Sequence, residues 1–185
     1  GSEMCIRDSI LLMTLCFEGA GALLSFLVFV QDHPPVEAIG ISIFHSIAAF
    51  NNSGFDILGG LQNLIPYQNN LLLNLTTAGL IIFGGLGFLV ILDILKKRSF
   101  RALALHSKVV IVMSAVLILL GTLLLKATEN VTWLGAFFQS VSARTAGFST
   151  YPIGSFTDAG LFVLILLMFV GASPGSTGGG IKTTT

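Results

Sequence analysis

The 185-residue chain is 54% apolar and only 10% charged, with 9 Lys+Arg set against 9 Asp+Glu. Ordinary soluble domains carry about 25% charged residues, so this sequence lacks the polar surface that a soluble enzyme of its size needs, and no covalent chemistry or bound cofactor is expected. High hydrophobicity at zero net charge also excludes disorder and leaves no basic footprint for nucleic acid; the bilayer is the remaining solvent.

In chain order, residues 1–9 are polar, match nothing that follows, and are expected to be a non-native lead. Cys5 and Cys16 give neither a disulfide framework nor a metal-ligand spacing. Residues 10–30, interrupted only by Glu18, are long enough to cross a hydrocarbon core of roughly 30 Å at about 1.5 Å per residue. Residues 71–95 and 109–128 are predicted to be two further spans, with Asp93 and Lys126 near their ends. Between the spans lie residues 36–50 and 132–143, too short to cross and too apolar for loops, as expected of re-entrant helices.

Charge gives an orientation. Lys96, Lys97, Arg98, Arg101 and Lys108 put 5 of the 9 positive charges into residues 96–108. Positive loops stay cytoplasmic, so both short helices are predicted to open from the outer face. The basic segment reads as a topology anchor ahead of a role in binding lipid or a subunit.

Aligning the chain with itself places Asn51-Asn52-Ser53-Gly54-Phe55 over Arg144-Thr145-Ala146-Gly147-Phe148, 93 positions on. With one gap, Phe44-His45-Ser46-Ile47-Ala48-Ala49 also falls over Phe138-Gln139-Ser140-Val141-Ser142-Ala143. The repeated unit is span, short helix, glycine-centred return, span. A short helix descending from outside points its carbonyl end, about half a negative charge, at mid-membrane, where it favours a cation. The irregular return is tolerated at that depth only where it lines a cavity or is buried in protein. Glycine at its centre lets successive carbonyls face one axis, and carbonyl rings replace the hydration shell of potassium.

Phe44 to Phe55 resembles the second pore segment of the Trk/Ktr/HKT potassium-transporter superfamily, and Ser142-Ala143-Arg144-Thr145-Ala146-Gly147-Phe148-Ser149 resembles the third. Residues 171–185, Gly171-Ala172-Ser173-Pro174-Gly175-Ser176-Thr177-Gly178-Gly179-Gly180-Ile181-Lys182-Thr183-Thr184-Thr185, resemble the intramembrane gating loop of the third repeat in its Trk and Ktr members. The resemblance covers residues 10–185 and implies an all-α integral membrane protein of four span-pore-span repeats. Residues 10–95 would be the second repeat, with filter 51–56; residues 109–185 would be the third, with filter 144–149 and gating loop 171–182, truncated. The chain would then be a fragment, with the first and fourth repeats missing.

The resemblance further implies that carbonyls of Asn52, Ser53 and Gly54 and of Thr145, Ala146 and Gly147 bind potassium, with Phe55 and Phe148 packed behind them. Gly175, Ser176, Thr177, Gly178, Gly179, Gly180 and Lys182 would form the gate. It implies potassium uptake across the inner membrane of a prokaryotic cell, sodium as a possible coupling ion, a homodimer surrounded by lipid, and a cytosolic nucleotide-binding ring as regulatory partner.

Other residues carry weaker signals. Arg144 is expected to point away from the ion axis, toward an acid or the outer surface, because a fixed cation repels potassium at low dielectric. Asp56 serves equally as a cation attractor or a turn residue. Glu18, near mid-span, should face protein, and Asp93 should pair with the basic segment. His45 reads as a packed, hydrogen-bonded residue and Trp133 as an interfacial anchor. Two alternatives stand beside this reading. One is an unrelated broken-helix transporter for a small solute. The other is a phosphate-binding loop in the tail, which fails because Ile181 separates Gly180 from Lys182.

Overall fold

The computed structural model describes residues 1–55, 58, 63–144, 146–171, 176 and 179–185. Seven α-helices are described: α1 (Ser2–Phe29), α2 (Pro35–Phe50), α3 (Leu71–Leu86), α4 (Phe88–Lys97), α5 (Leu105–Thr128), α6 (Trp133–Ala143) and α7 (Asp158–Phe169). Among the described residues the only β pairing is an isolated parallel bridge between Val170 and Ile181.

Helices α1 and α5, of 28 and 24 residues, are long and apolar enough to cross a membrane. The first departs from expectation at its start, because the helix runs back through the polar lead to Ser2. No proline interrupts residues 2–29, and a helix once nucleated propagates at little cost. The lead, residues 1–9, stays exposed throughout.

The second expected span is not one straight helix. It breaks at Gly87, whose φ of 92° is open to glycine and strained for other residues. The helices on either side, α3 and α4, meet at 98°. Beyond the break, Asp93 pairs with Lys97 within α4 at 3.0 Å and accepts a hydrogen bond from the Ala104 backbone N–H at 2.9 Å, tying α4 to the start of α5.

Local capping sets the other starts. Pro35 occupies the first turn of α2, where its missing N–H costs nothing. Asn70, Thr132 and Thr157 cap α3, α6 and α7, accepting from Leu73, Gly135 and Gly160 at 3.0, 3.1 and 3.3 Å. Glu129 Oε1 accepts from both the N–H and Oγ1 of Thr157, at 2.8 and 2.7 Å, tying the end of α5 to the start of α7.

Helices α1, α2 and α3 pack together, as do α5, α6 and α7, and α3 against α6 joins the two groups. Each group contains the same contact. Ser46 on α2 donates to Glu18 O on α1 at 2.5 Å, and Ser140 on α6 donates to Ile118 O on α5 at 2.9 Å. One turn on from each carbonyl stands a glycine, Gly21 or Gly121, with no room for a Cβ beside the serine hydroxyl. Gly40, on α2, faces open space. Gly121→Ala is therefore expected to lower stability by about 1–3 kcal/mol through overpacking, whereas Gly40→Ala should raise it by roughly 0.5–1 kcal/mol through backbone entropy. Thermal unfolding in detergent measures both; equal shifts would show that the helix contact does not depend on the glycine.

Candidate functional site

The first return begins where α2 stops. Asn51 ends the helix and donates from Nδ2 to Glu18 Oε1 at 3.0 Å and to Ile47 O at 2.9 Å. Glu18 thus faces protein, and its partner is the residue that closes the short helix. The backbone then turns through positive φ at Asn52 (52°) and Gly54 (68°). Ser53 holds the turn, its N–H and Oγ both donating to Ala48 O at 2.9 and 3.1 Å.

The second return is built alike at the end of α6. Ala146 and Gly147 N–H groups both donate to Ser142 O, at 3.0 and 3.1 Å, and Gly147 has φ 84°. Ser142 Oγ donates to Phe148 O, so one serine clamps both ends of the turn. Thr145 lies outside the described residues, as does Asp56 in the first return.

The two returns touch. A Cβ placed on Gly54 would overlap the Ala146 carbonyl oxygen and stand 3.2 Å from Gly147 Cα. The following segments are joined as well: Leu64 N–H donates to Ser149 O at 3.0 Å, and Ser149 N–H donates to Asn63 Oδ1 at 3.3 Å. Among the described residues no three His, Cys, Asp or Glu side chains gather as a metal cage.

The phenylalanines after the two glycines differ. Phe148 is buried, edge-on to His45 with ring centroids 5.1 Å apart. His45 is itself buried and hydrogen-bonded to Thr77 Oγ1 at 2.7 Å, so this histidine of the first short helix supports the second return. Phe55 was expected to be packed, yet it is 66% exposed among the described residues.

Arg144 also departs from expectation. Among the described residues its guanidinium meets no acid; it is half-buried and donates to the Gly171 carbonyl at 3.1 Å, just beyond the end of α7. There the chain doubles back: Gly171 N–H donates to Ile181 O at 2.7 Å, and Ile181 N–H donates to Phe169 O at 3.3 Å. A Cβ on Gly171 would overlap Gly179 O, and Gly180 has φ 83°. The glycines of the tail thus allow two backbone segments to lie in direct contact. A cavity of about 400 Å³ separates this junction from the second return, lined by Arg144, Gly147, Phe148, Leu164, Met168 and Gly180. Of the expected gate residues, Ser176, Gly179, Gly180 and Lys182 are described; Gly175, Thr177 and Gly178 lie outside the described residues.

The sequence profile of the TrkH cation transport proteins matches residues 8–134 and 108–185. The chain belongs to the TrkH family. It is 42% identical over 158 residues to Ktr system potassium uptake protein B of Vibrio alginolyticus, with 78% of this chain and 34% of the relative aligned. It is 36% identical to the potassium/sodium uptake protein NtpJ of Enterococcus hirae, over 95% of this chain and 41% of the relative. Ktr system potassium uptake protein B of Bacillus subtilis is 34% identical, over 100% of this chain and 44% of the relative. The chain therefore spans about a third to under half of the length of these curated relatives. The crystal structure of the potassium transporter TrkH from Vibrio parahaemolyticus superimposes with a TM-score of 0.72 at 22% identity, covering 96% of this chain and 38% of that one. Family and fold are those of an all-helical membrane protein.

Two features of this TrkH-family site escaped the sequence. The bond from Arg144 to Gly171 joins residues 27 apart by a backbone carbonyl, which has no compositional mark. The support that His45 gives Phe148 crosses between the two groups of helices. Periodicity within one helix cannot signal it.

Proposed function

We propose that this chain forms part of the wall of a potassium pore, its two returns supplying adjacent strands of a selectivity filter and its glycine-rich tail a gate beneath them. The observation that carries this reading is the direct backbone contact between Gly54 and the Ala146-Gly147 pair, in the returns that follow the two short helices α2 and α6. Carbonyls of Asn52, Ser53, Gly54, Thr145, Ala146 and Gly147 take the place of water around the ion. The shared serine-glycine contacts of the two groups support the repeated unit, and a preceding repeat would cover Phe55 as α2 covers Phe148. The uptake named for the relatives supports potassium as substrate, and the name of the Enterococcus relative supports sodium as a second cation. A second copy of the chain and a cytosolic nucleotide-binding ring are the partners that the family resemblance brings to this reading.

The test is a chimera in which this chain replaces the matching stretch of the Bacillus subtilis relative, expressed in cells lacking their own potassium uptake. Growth at low potassium and uptake of radioactive rubidium, a potassium congener, are expected to return. A chimera that reaches the membrane and moves neither ion would overturn the assignment. Uptake of an uncharged or anionic solute instead would favour the broken-helix alternative.

A further inference from the structure

The break at Gly87 creates a surface that the ion pathway does not use. If α3 crosses the bilayer, α4, at 98° to it, lies in the membrane plane. Its inner side is held by the buried Val90 and Ile91, packed with Met13, Leu86 and Val110, while Leu89 and Leu95 are exposed. Immediately beyond, a cavity of about 400 Å³ is lined by Ile94, Leu95, Phe100, Leu103 and Ile111, with Arg98 among its walls. Its lining is apolar except at Arg98 and Ser99.

The charge around this cavity is one-sided. From Asp93 to Lys108 there are five Lys and Arg and one carboxylate, and that carboxylate is paired with Lys97. Lys96, Arg98 and Arg101 are exposed, and Lys108 Nζ turns toward Arg101 O at 3.1 Å. Arg98 also ends α4 in the left-handed region, with φ 51°, a position where helices ordinarily place glycine. An arginine there accepts backbone strain at the edge of a recess that it helps to line.

We infer that this recess is a binding site for an anionic phospholipid, the phosphate held by Arg98 and Arg101 and an acyl chain lying against Leu95, Phe100 and Leu103. Interfacial helices followed by basic clusters attract anionic headgroups. The apolar cavity selects a lipid over a soluble phosphate, because only a lipid has a chain to fill it. The site is separate from the filter and the tail, and it rests on the membrane placement of α3, not on the ion that passes.

Native mass spectrometry of the full chain in detergent, with dioleoyl phosphatidylglycerol or dioleoyl phosphatidylcholine added, tests it. Phosphatidylglycerol is expected to be retained preferentially and not displaced by millimolar glycerophosphate. Each basic charge near an anionic surface contributes about fivefold in binding, so Arg98→Asn with Arg101→Gln should lower retention by roughly twentyfold. Asparagine tolerates the left-handed backbone, which keeps the helix end intact. Equal retention of the two lipids by the unaltered chain overturns the proposal without any variant. So does displacement by glycerophosphate, which would assign the cations to soluble phosphate, or unchanged retention in a double variant with the wild-type helical circular dichroism.

Discussion

Gly54→Ala is expected to abolish selective potassium uptake in the chimera, while Gly147→Ala leaves part of it. Both glycines have φ in the left-handed region, 68° and 84°, where a side chain costs on the order of 1–2 kcal/mol. The surroundings separate them. A methyl group on Gly54 runs into the Ala146 carbonyl, a backbone atom that cannot rotate aside, so the two returns must part. On Gly147 nothing among the described residues lies within 4 Å of the added carbon, and there the cost is conformational. If potassium is coordinated by these carbonyls, displacement on the ångström scale changes which ion fits. Gly54→Ala should therefore lose at least about tenfold in potassium-over-sodium preference at roughly 1.4 kcal/mol per decade. Gly147→Asn, which suits a positive φ, should stay nearer the wild type than Gly147→Ala. The measurement is rubidium uptake with sodium competition at matched membrane abundance. Wild-type selectivity in Gly54→Ala would remove these strands from the ion path.

The contrast between the two glycines also shows what the sequence could and could not carry. Apolar length located the two long straight helices among the described residues, α1 and α5, since a bilayer admits few ways to satisfy a backbone. The internal match of Asn51–Phe55 with Arg144–Phe148 located both turns, because left-handed backbone demands glycine and glycine is visible in a sequence. Direction is not visible. Nothing in Gly84-Gly85-Leu86-Gly87 distinguishes a flexible point in a straight span from a 98° bend. The helix runs through the polar lead for a related reason: composition reports solubility, whereas a nucleated helix can continue through a polar stretch that holds no breaker. Partners that are carbonyls, such as Glu18 O for Ser46 or Gly171 O for Arg144, are present in every residue and so identify none.

Arg144→Met is expected to raise potassium flux without changing selectivity. The guanidinium leaves the end of α6 beside the second return and holds the carbonyl of Gly171, where the tail folds back on α7. If the tail obstructs the path below the filter, this bond keeps its root in place. A hydrogen bond from a charged donor contributes about 1.5–3 kcal/mol, which corresponds to a roughly ten- to hundredfold change in the ratio of displaced to seated tail. Methionine keeps the length and apolar stem and removes the donor. Loss of the positive charge would itself favour potassium nearby, so a second variant must separate the two effects. Gly171→Ala leaves Arg144 intact and forces the new methyl against Gly179 O, prising the root apart from the other side. Raised flux in both variants, with the potassium-to-sodium ratio of the wild type, assigns the bond to holding the tail. Raised flux in Arg144→Met alone assigns the effect to charge, and the two returns and the tail would then act independently.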